Sequence, residues 1–120
     1  RKAVDAPRLG EMTAAQTVRM KERFLERVRH YSGLMGGAVG RVTVRSQKSR
    51  WGSCSAKGNL NFNYLLYFLP EELLDYVVVH ELAHRRHMNH SGEFWEEVGR
   101  YFPDYKRCRR ELKEIKLRSD

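Results

Sequence analysis

The chain has 120 residues and a formal net charge of +8, with 23 Lys and Arg against 15 Asp and Glu. That length supports one hydrophobic core but not two, and 41% hydrophobic with 11% aromatic residues excludes a disordered chain. No apolar run approaches the roughly 20 residues of a membrane-spanning helix, and no signal-peptide pattern is present.

The chain begins with Arg1 rather than Met. Residues 1–12 are therefore expected to be a linker or the remnant of a trimmed N-terminal region, and residues 13–120 a single domain. Residues 13 to 31 read as a helix capped by Thr13, with Val18, Leu25 and Val28 as a rough apolar stripe and Gly33 ending the run. Gly36-Gly37 is a break. Val39 to Arg45 alternates as a strand does, with Val42 and Val44 on one face and Arg41, Thr43 and Arg45 on the other. After a polar loop from Gln47 to Arg50, Trp51 to Ser55 and Asn59 to Tyr64 form a hairpin around Ala56-Lys57-Gly58. In its second strand Leu60 and Phe62 point one way, and Asn59, Asn61 and Asn63 the other.

A helix is expected next, from about Pro70 to Met88. Pro70 suits a first turn, and Glu71 and Glu72 suit the positive end of the helix dipole. Leu73, Leu74, Val77, Val78, Val79, Leu82 and Ala83 make it apolar on nearly every side, so it belongs in the middle of the domain. Further helices follow near 92–101, opened by Ser91 and Gly92, and 104–116, with Asp104 as cap after Pro103. Tyr105, Cys108, Leu112 and Ile115 of the last helix face the core, and its basic residues read as a solvated face. The sequence thus implies an α+β fold: a small antiparallel sheet beside a buried active-site helix, with flanking N- and C-terminal helices.

The buried helix carries the chemistry. In His80-Glu81-Leu82-Ala83-His84 the two histidines are four apart and share a helix face, so both can hold one metal ion. Glu81 lies where it reaches water at the metal without binding the metal itself. A catalytic zinc site takes a third protein ligand. His87 is seven residues from His80, about 10 Å of helical rise, too far for one ion held at about 2 Å. His90 is the favoured third ligand, with Asn89 supplying a left-handed residue where the chain turns back. His87 and a carboxylate from Glu93, Glu96 or Glu97 are the alternatives. Cys54 and Cys108 have no C-x-x-C partner and are expected to be reduced thiols in a cytosolic, cytoplasmic protein. Cys54 reads as a small buried strand residue.

Two blocks together carry a resemblance. Lys48-Ser49-Arg50-Trp51-Gly52-Ser53-Cys54-Ser55 with Gly58-Asn59-Leu60-Asn61-Phe62-Asn63 is the first; Asp75 to His84, His87-Met88-Asn89-His90-Ser91 and Phe94-Trp95 are the second. They resemble the YgjP-like metallopeptidases, and more distantly the SprT-like and WLM zinc proteases, over about residues 40 to 115. The resemblance implies a zincin-like fold, zinc held by His80, His84 and His90, and Glu81 as the catalytic residue. It also implies that the Arg-Trp-Gly-Ser-Cys-Ser block lies near the site.

The expected activity is peptide-bond hydrolysis by zinc-activated water, with Glu81 as general base. One further donor to the oxyanion is expected from Tyr101, Tyr105, Arg50 or an asparagine. A peptide could add to the sheet edge at the Trp51–Ser55 strand, making Trp51, Ser53 and Arg50 candidate substrate-binding residues. Two other readings compete: a hydrolase of nucleotide phosphoanhydrides using the basic loop Lys48 to Arg50, and a zinc-containing module that binds nucleic acid through the basic surface. Imidazole ligands suit zinc better than the magnesium of nucleotide chemistry, and a structural zinc site has no use for Glu81.

Overall fold

The helix that carries the histidines is the axis of the molecule. The computed structural model describes residues 2–118. Helix α2 (Glu71–Ala83) is buried along almost its whole length, from Leu73 through Val79 and again at Glu81, Leu82 and Ala83. Its three consecutive valines cost about 2 kcal/mol in helix propensity. Burying each side chain returns roughly 1.5 kcal/mol or more, so packing outweighs propensity. Acidic Glu71 and Glu72 occupy its first turn, as the dipole favours.

Helix α1 (Ala14–Met35) crosses α2 and is opened by a capping box between Thr13 and Gln16. It runs past Gly33 to Gly36, whose φ of +80° suits a residue without Cβ. Its buried face is Met20, Phe24, Val28, Tyr31 and Met35, while Val18 is 54% exposed. The expected stripe was thus right only at Val28, because the larger Met, Phe and Tyr side chains claim the core. Arg27 of α1 reaches α2 with a two-pronged bond to Asp75 (2.8 and 3.0 Å), and the Tyr31 hydroxyl donates to the same carboxylate.

The three-stranded sheet has the order β2–β4–β3, with β2 (Val42–Arg45), β3 (Gly52–Cys54) and β4 (Leu60–Asn63). β3 pairs antiparallel with β4 as a hairpin, but β2 pairs parallel with β4 (Val44 opposite Phe62). The sheet is therefore mixed rather than antiparallel throughout, because the chain returns along β3 before β4 inserts between the two earlier strands. Leu60 and Phe62 are fully buried, as their alternation implies. Asn63, on the opposite face, is buried too: its amide donates to the carbonyls of Gln47 and Arg50, and its Oδ1 accepts from Leu65 N–H.

Helices α3 (Gly92–Tyr101) and α4 (Tyr105–Lys113) close the domain. Ser91 caps α3 by accepting from Phe94 N–H, whereas Asp104 at the start of α4 accepts from Arg107 instead of capping. Short strands β1 (Lys2–Ala3) and β5 (Ile115–Lys116) pair in parallel. Within the segment before Thr13, read above as linker or remnant, Val4 is buried and the Pro7 carbonyl accepts from the Tyr64 hydroxyl. Among the described residues no helix is long and apolar enough to cross a membrane.

Candidate metal centre

Helix α2 ends at Ala83, five residues short of expectation, and His84 takes its C-cap position. The stop is made by side chains that bond distant carbonyls. Arg85 donates to Ala38 and Ala56, and Arg86 to Met35. These bonds tie the helix end to the loops on either side, and the chain then folds back. Asn89 does not adopt a left-handed conformation: no described non-glycine residue has positive φ.

The fold-back brings His90 against the two helical histidines. His90 Nε2 lies 3.1 Å from His84 Nε2 and 3.3 Å from His80 Nε2. Nitrogens about 2.05 Å from a tetrahedral zinc ion are separated by about 3.3 Å, so both distances from His90 match ligands around one ion, and all three ligand atoms lie within 4.8 Å of one another. Among the described residues, this trio is the group of His, Cys and carboxylate side chains arranged to hold a metal. His87 and Glu97 instead face each other, Nε2 to Oε1, at 3.1 Å. Neither they, Glu93 nor Glu96 joins the cluster.

The far nitrogens are held as well. His84 Nδ1 lies 3.0 Å from the His87 carbonyl, which can only accept, so Nδ1 carries the proton and Nε2 is left with its lone pair. His80 Nδ1 lies 3.3 Å from the buried Tyr76 hydroxyl. Burial, reinforced by the neighbouring histidines, lowers His80 to about 3, and burial also lowers His84. Both are thus kept neutral, the form that binds metal. Phe94 forms a floor beneath all three rings, 4.6 to 5.0 Å from their centroids. Trp95 stacks on His90 at 5.8 Å and 28°.

Glu81 is 5% exposed, and loss of hydration pushes its carboxyl up to about 8, opposed by the charge of Arg50. It separates two hollows. One, of about 310 Å³, faces the imidazoles and is lined by Arg50, Ser53, Cys54 and Met88. The other, of about 250 Å³, runs past Trp51, Tyr76 and Arg109. Gly52 touches both. A Cβ built there would lie 3.1 Å from Glu81 Oε2, Val77 Cγ1 and the Asn61 carbonyl, so only glycine lets β3 approach the carboxylate so closely.

A family model described as YgjP-like, metallopeptidase domain, matches residues 7–115. The chain belongs to the YgjP-like metallopeptidase family. It is accordingly a metal-dependent peptidase. No curated protein sequence matches this metallopeptidase. Its fold is similar to two crystal structures of metallopeptidase zymogens. Abylysin of Pyrococcus abyssi is 27% identical with a TM-score of 0.68, over 74% of this chain and 90% of that one. Jannalysin of Methanocaldococcus jannaschii is 24% identical with a TM-score of 0.61, over 79% and 94%. The zincin-like α+β architecture is shared with these structures.

Within this metallopeptidase, Arg50, Trp51 and Ser53 all border the hollows around Glu81. Tyr101 and Tyr105 line neither; Tyr105 stacks on Trp95. Cys54 is half-buried in the cleft wall rather than buried in the core, and both cysteines are free. Sequence reasoning singled out neither Tyr76 nor Arg109. Tyr76 stands at i−4 from His80, a position from which a hydroxyl can reach back to an imidazole, and that spacing was the available signal.

Proposed function

We propose that the chain is a zinc-dependent peptidase in which His80, His84 and His90 hold the metal and Glu81 is the general base. The observation that carries this reading is the convergence of three imidazole Nε2 atoms beside a carboxylate nearly sealed from water. Zinc there would supply the positive charge that makes water acidic near neutral pH and offsets charge on the carbonyl oxygen.

The rest of the chemistry belongs to the chain itself. Glu81 accepts a proton from the attacking water at its carboxylate oxygen and passes it to the leaving nitrogen as the C–N bond breaks. Tyr76 and the His87 carbonyl fix the two helical imidazoles with Nε2 facing the cleft. β3 is an edge of its sheet and borders the cleft, so an extended peptide can add to it through main-chain hydrogen bonds. Trp51, Ser53 and Arg50 flank such a strand. Arg50, close enough to Glu81 to bias its ionisation, is the oxyanion donor among the candidates that line the cleft. Nucleotide hydrolysis and nucleic-acid binding gain no support from the family or from either structural neighbour.

The test is turnover of a mixed peptide library by zinc-loaded protein, with Glu81→Gln as control. Cleavage is expected to fall by roughly 10² to 10⁴ in the variant, the usual worth of a general base, while zinc stays bound. Undiminished cleavage by the variant, or no cleavage by protein carrying one zinc, would overturn the reading.

A further inference from the structure

Helix α4 sorts its charges by face. Arg107 is consumed by Asp104 (2.6 Å), Glu111 (2.7 Å) and Glu72 (3.7 Å) on the side away from the cleft. Arg109 and Lys113, one turn apart, line the 250 Å³ hollow beside Glu81. Among the described residues no carboxylate pairs with either. Arg109 lies with its guanidinium 4.8 Å from the Trp95 ring centroid, a cation–π contact that fixes it at the mouth. The walls behind it are apolar: Trp51, Val77 and Leu112.

The basic character continues outward. Trp51, Leu112 and Lys113 also border a larger depression of about 620 Å³, which adds Lys48 and Lys116 and has no acidic side chain in its lining. Trp51, Leu112 and Lys113 line both hollows, so the two adjoin, and together they make a basic trough with Glu81 at its inner end. Its inner part, about 250 Å³, has room for a side chain, and its outer part, about 620 Å³, is wider.

We infer that this trough is a specificity site for acidic peptides, taking a Glu or Asp side chain next to the scissile bond and a further acidic residue near Lys48 and Lys116. The inference rests on the peptidase reading. The methylene stem of a glutamate packs on Trp51, Val77 and Leu112, and its carboxylate meets the Arg109 fork, with Lys113 one turn on. A glutamine can fill the same space but forfeits the charge, and a lysine is repelled. A nucleic acid would also favour basic residues. The inner hollow, set against the general base, has an apolar wall of Trp51, Val77 and Leu112 that suits the methylenes of a peptide side chain.

The experiment uses zinc-loaded full chain and peptides of one sequence bearing Glu, Gln or Lys at each position flanking the cut. The expected kcat/KM order is Glu, then Gln, then Lys, with about a ten-fold step from Glu to Gln that shrinks in 1 M salt. The Arg109→Glu/Lys113→Glu double variant should reverse the order of Glu and Lys; Lys113→Glu alone, at an exposed position, should narrow it. Cleavage with equal kcat/KM for all three peptides overturns the inference and leaves the peptidase reading standing.

Binding separates the two further. Anisotropy of labelled acidic and neutral peptides on zinc-loaded Glu81→Gln reports the trough without turnover. Acid-selective binding that the charge reversal abolishes, with no cleavage by the unaltered chain, upholds the trough while the peptidase reading fails. Unselective binding overturns it. A single-stranded oligonucleotide that binds more tightly than the acidic peptide, and is lost in the same variant, also overturns it.

Discussion

Helix α2 and the segment from His84 to Ser91 bring their histidines to one point by different means. α2 is clamped on nearly every side by the core and tied to α1 through Asp75 and Arg27. The segment after it has Met88 through Ser91 exposed, and a few directed bonds hold it: Arg85 and Arg86 to distant carbonyls, His84 to the His87 carbonyl, His87 to Glu97. A packed helix sets a spacing by its own geometry, so His80 and Glu81 are positioned by burial, while His84, at the C-cap, takes its place from the helix and its orientation from the His87 carbonyl. His90 is positioned by hydrogen bonds and by the aromatic pair Phe94 and Trp95. The two halves should therefore fail differently.

The sharpest break is His90→Ala. Zinc affinity should fall at least 100-fold, more than is typical for an outer-shell change. The metal-free protein should melt within a few degrees of the unaltered chain, because His90 is exposed and touches the core only through Phe94 and Trp95. Chelator competition and a thermal melt check both halves of this expectation. Full zinc retention would remove His90 from the site.

On the helical side, Gly52→Ala tests how closely β3 must approach Glu81. The added Cβ meets a backbone carbonyl and a buried valine as well as the carboxylate, each at 3.1 Å, so one of these neighbours has to give by a few tenths of an ångström. A shift of that size at the carboxylate should cost about ten-fold in kcat, while zinc stoichiometry should stay at one. Unchanged kcat would show that the close contact is dispensable.

An effect of similar size separates packing from hydrogen bonding at His80. Tyr76→Phe keeps the ring and removes the hydroxyl that faces Nδ1. Zinc affinity should drop about ten-fold, at the low end for outer-shell partners. Because the aromatic ring is retained, the melting temperature should change little. A large melting shift with unaltered affinity would make Tyr76 a core residue only.

The same contrast explains what could be read from the sequence. His80, Glu81 and His84 were legible because a helix converts spacing into geometry, and the apolar run around them announced burial. The end of α2 was misplaced at Met88, because its stop depends on Arg85 and Arg86 reaching carbonyls at residues 35, 38 and 56. No local pattern encodes such partners. Alternation in β2 and β4 revealed two strands and which residues point inward, but not that they run parallel. Alternation put Asn63 on the face opposite Leu60 and Phe62, but did not reveal that its amide is the hub of the turn below the hairpin. In α1, Val18 and Leu25 were taken for the core stripe in place of Met20, Phe24, Tyr31 and Met35, because side-chain size rather than hydropathy decided which face was buried. Gly52 was visible as a letter in a motif. Its physical reason, a strand pressed against a carboxylate, needed the tertiary structure.

The measurement that bears most directly on the proposed centre is zinc-edge X-ray absorption on protein loaded with one equivalent of zinc. Three imidazole nitrogens at about 2.0 to 2.1 Å are expected, with one oxygen ligand at a similar distance completing a four-coordinate shell. Loss of one imidazole contribution is expected in His90→Ala. A shell containing sulfur at about 2.3 Å, or only two imidazoles with two carboxylate oxygens in the unaltered chain, would contradict the proposed centre.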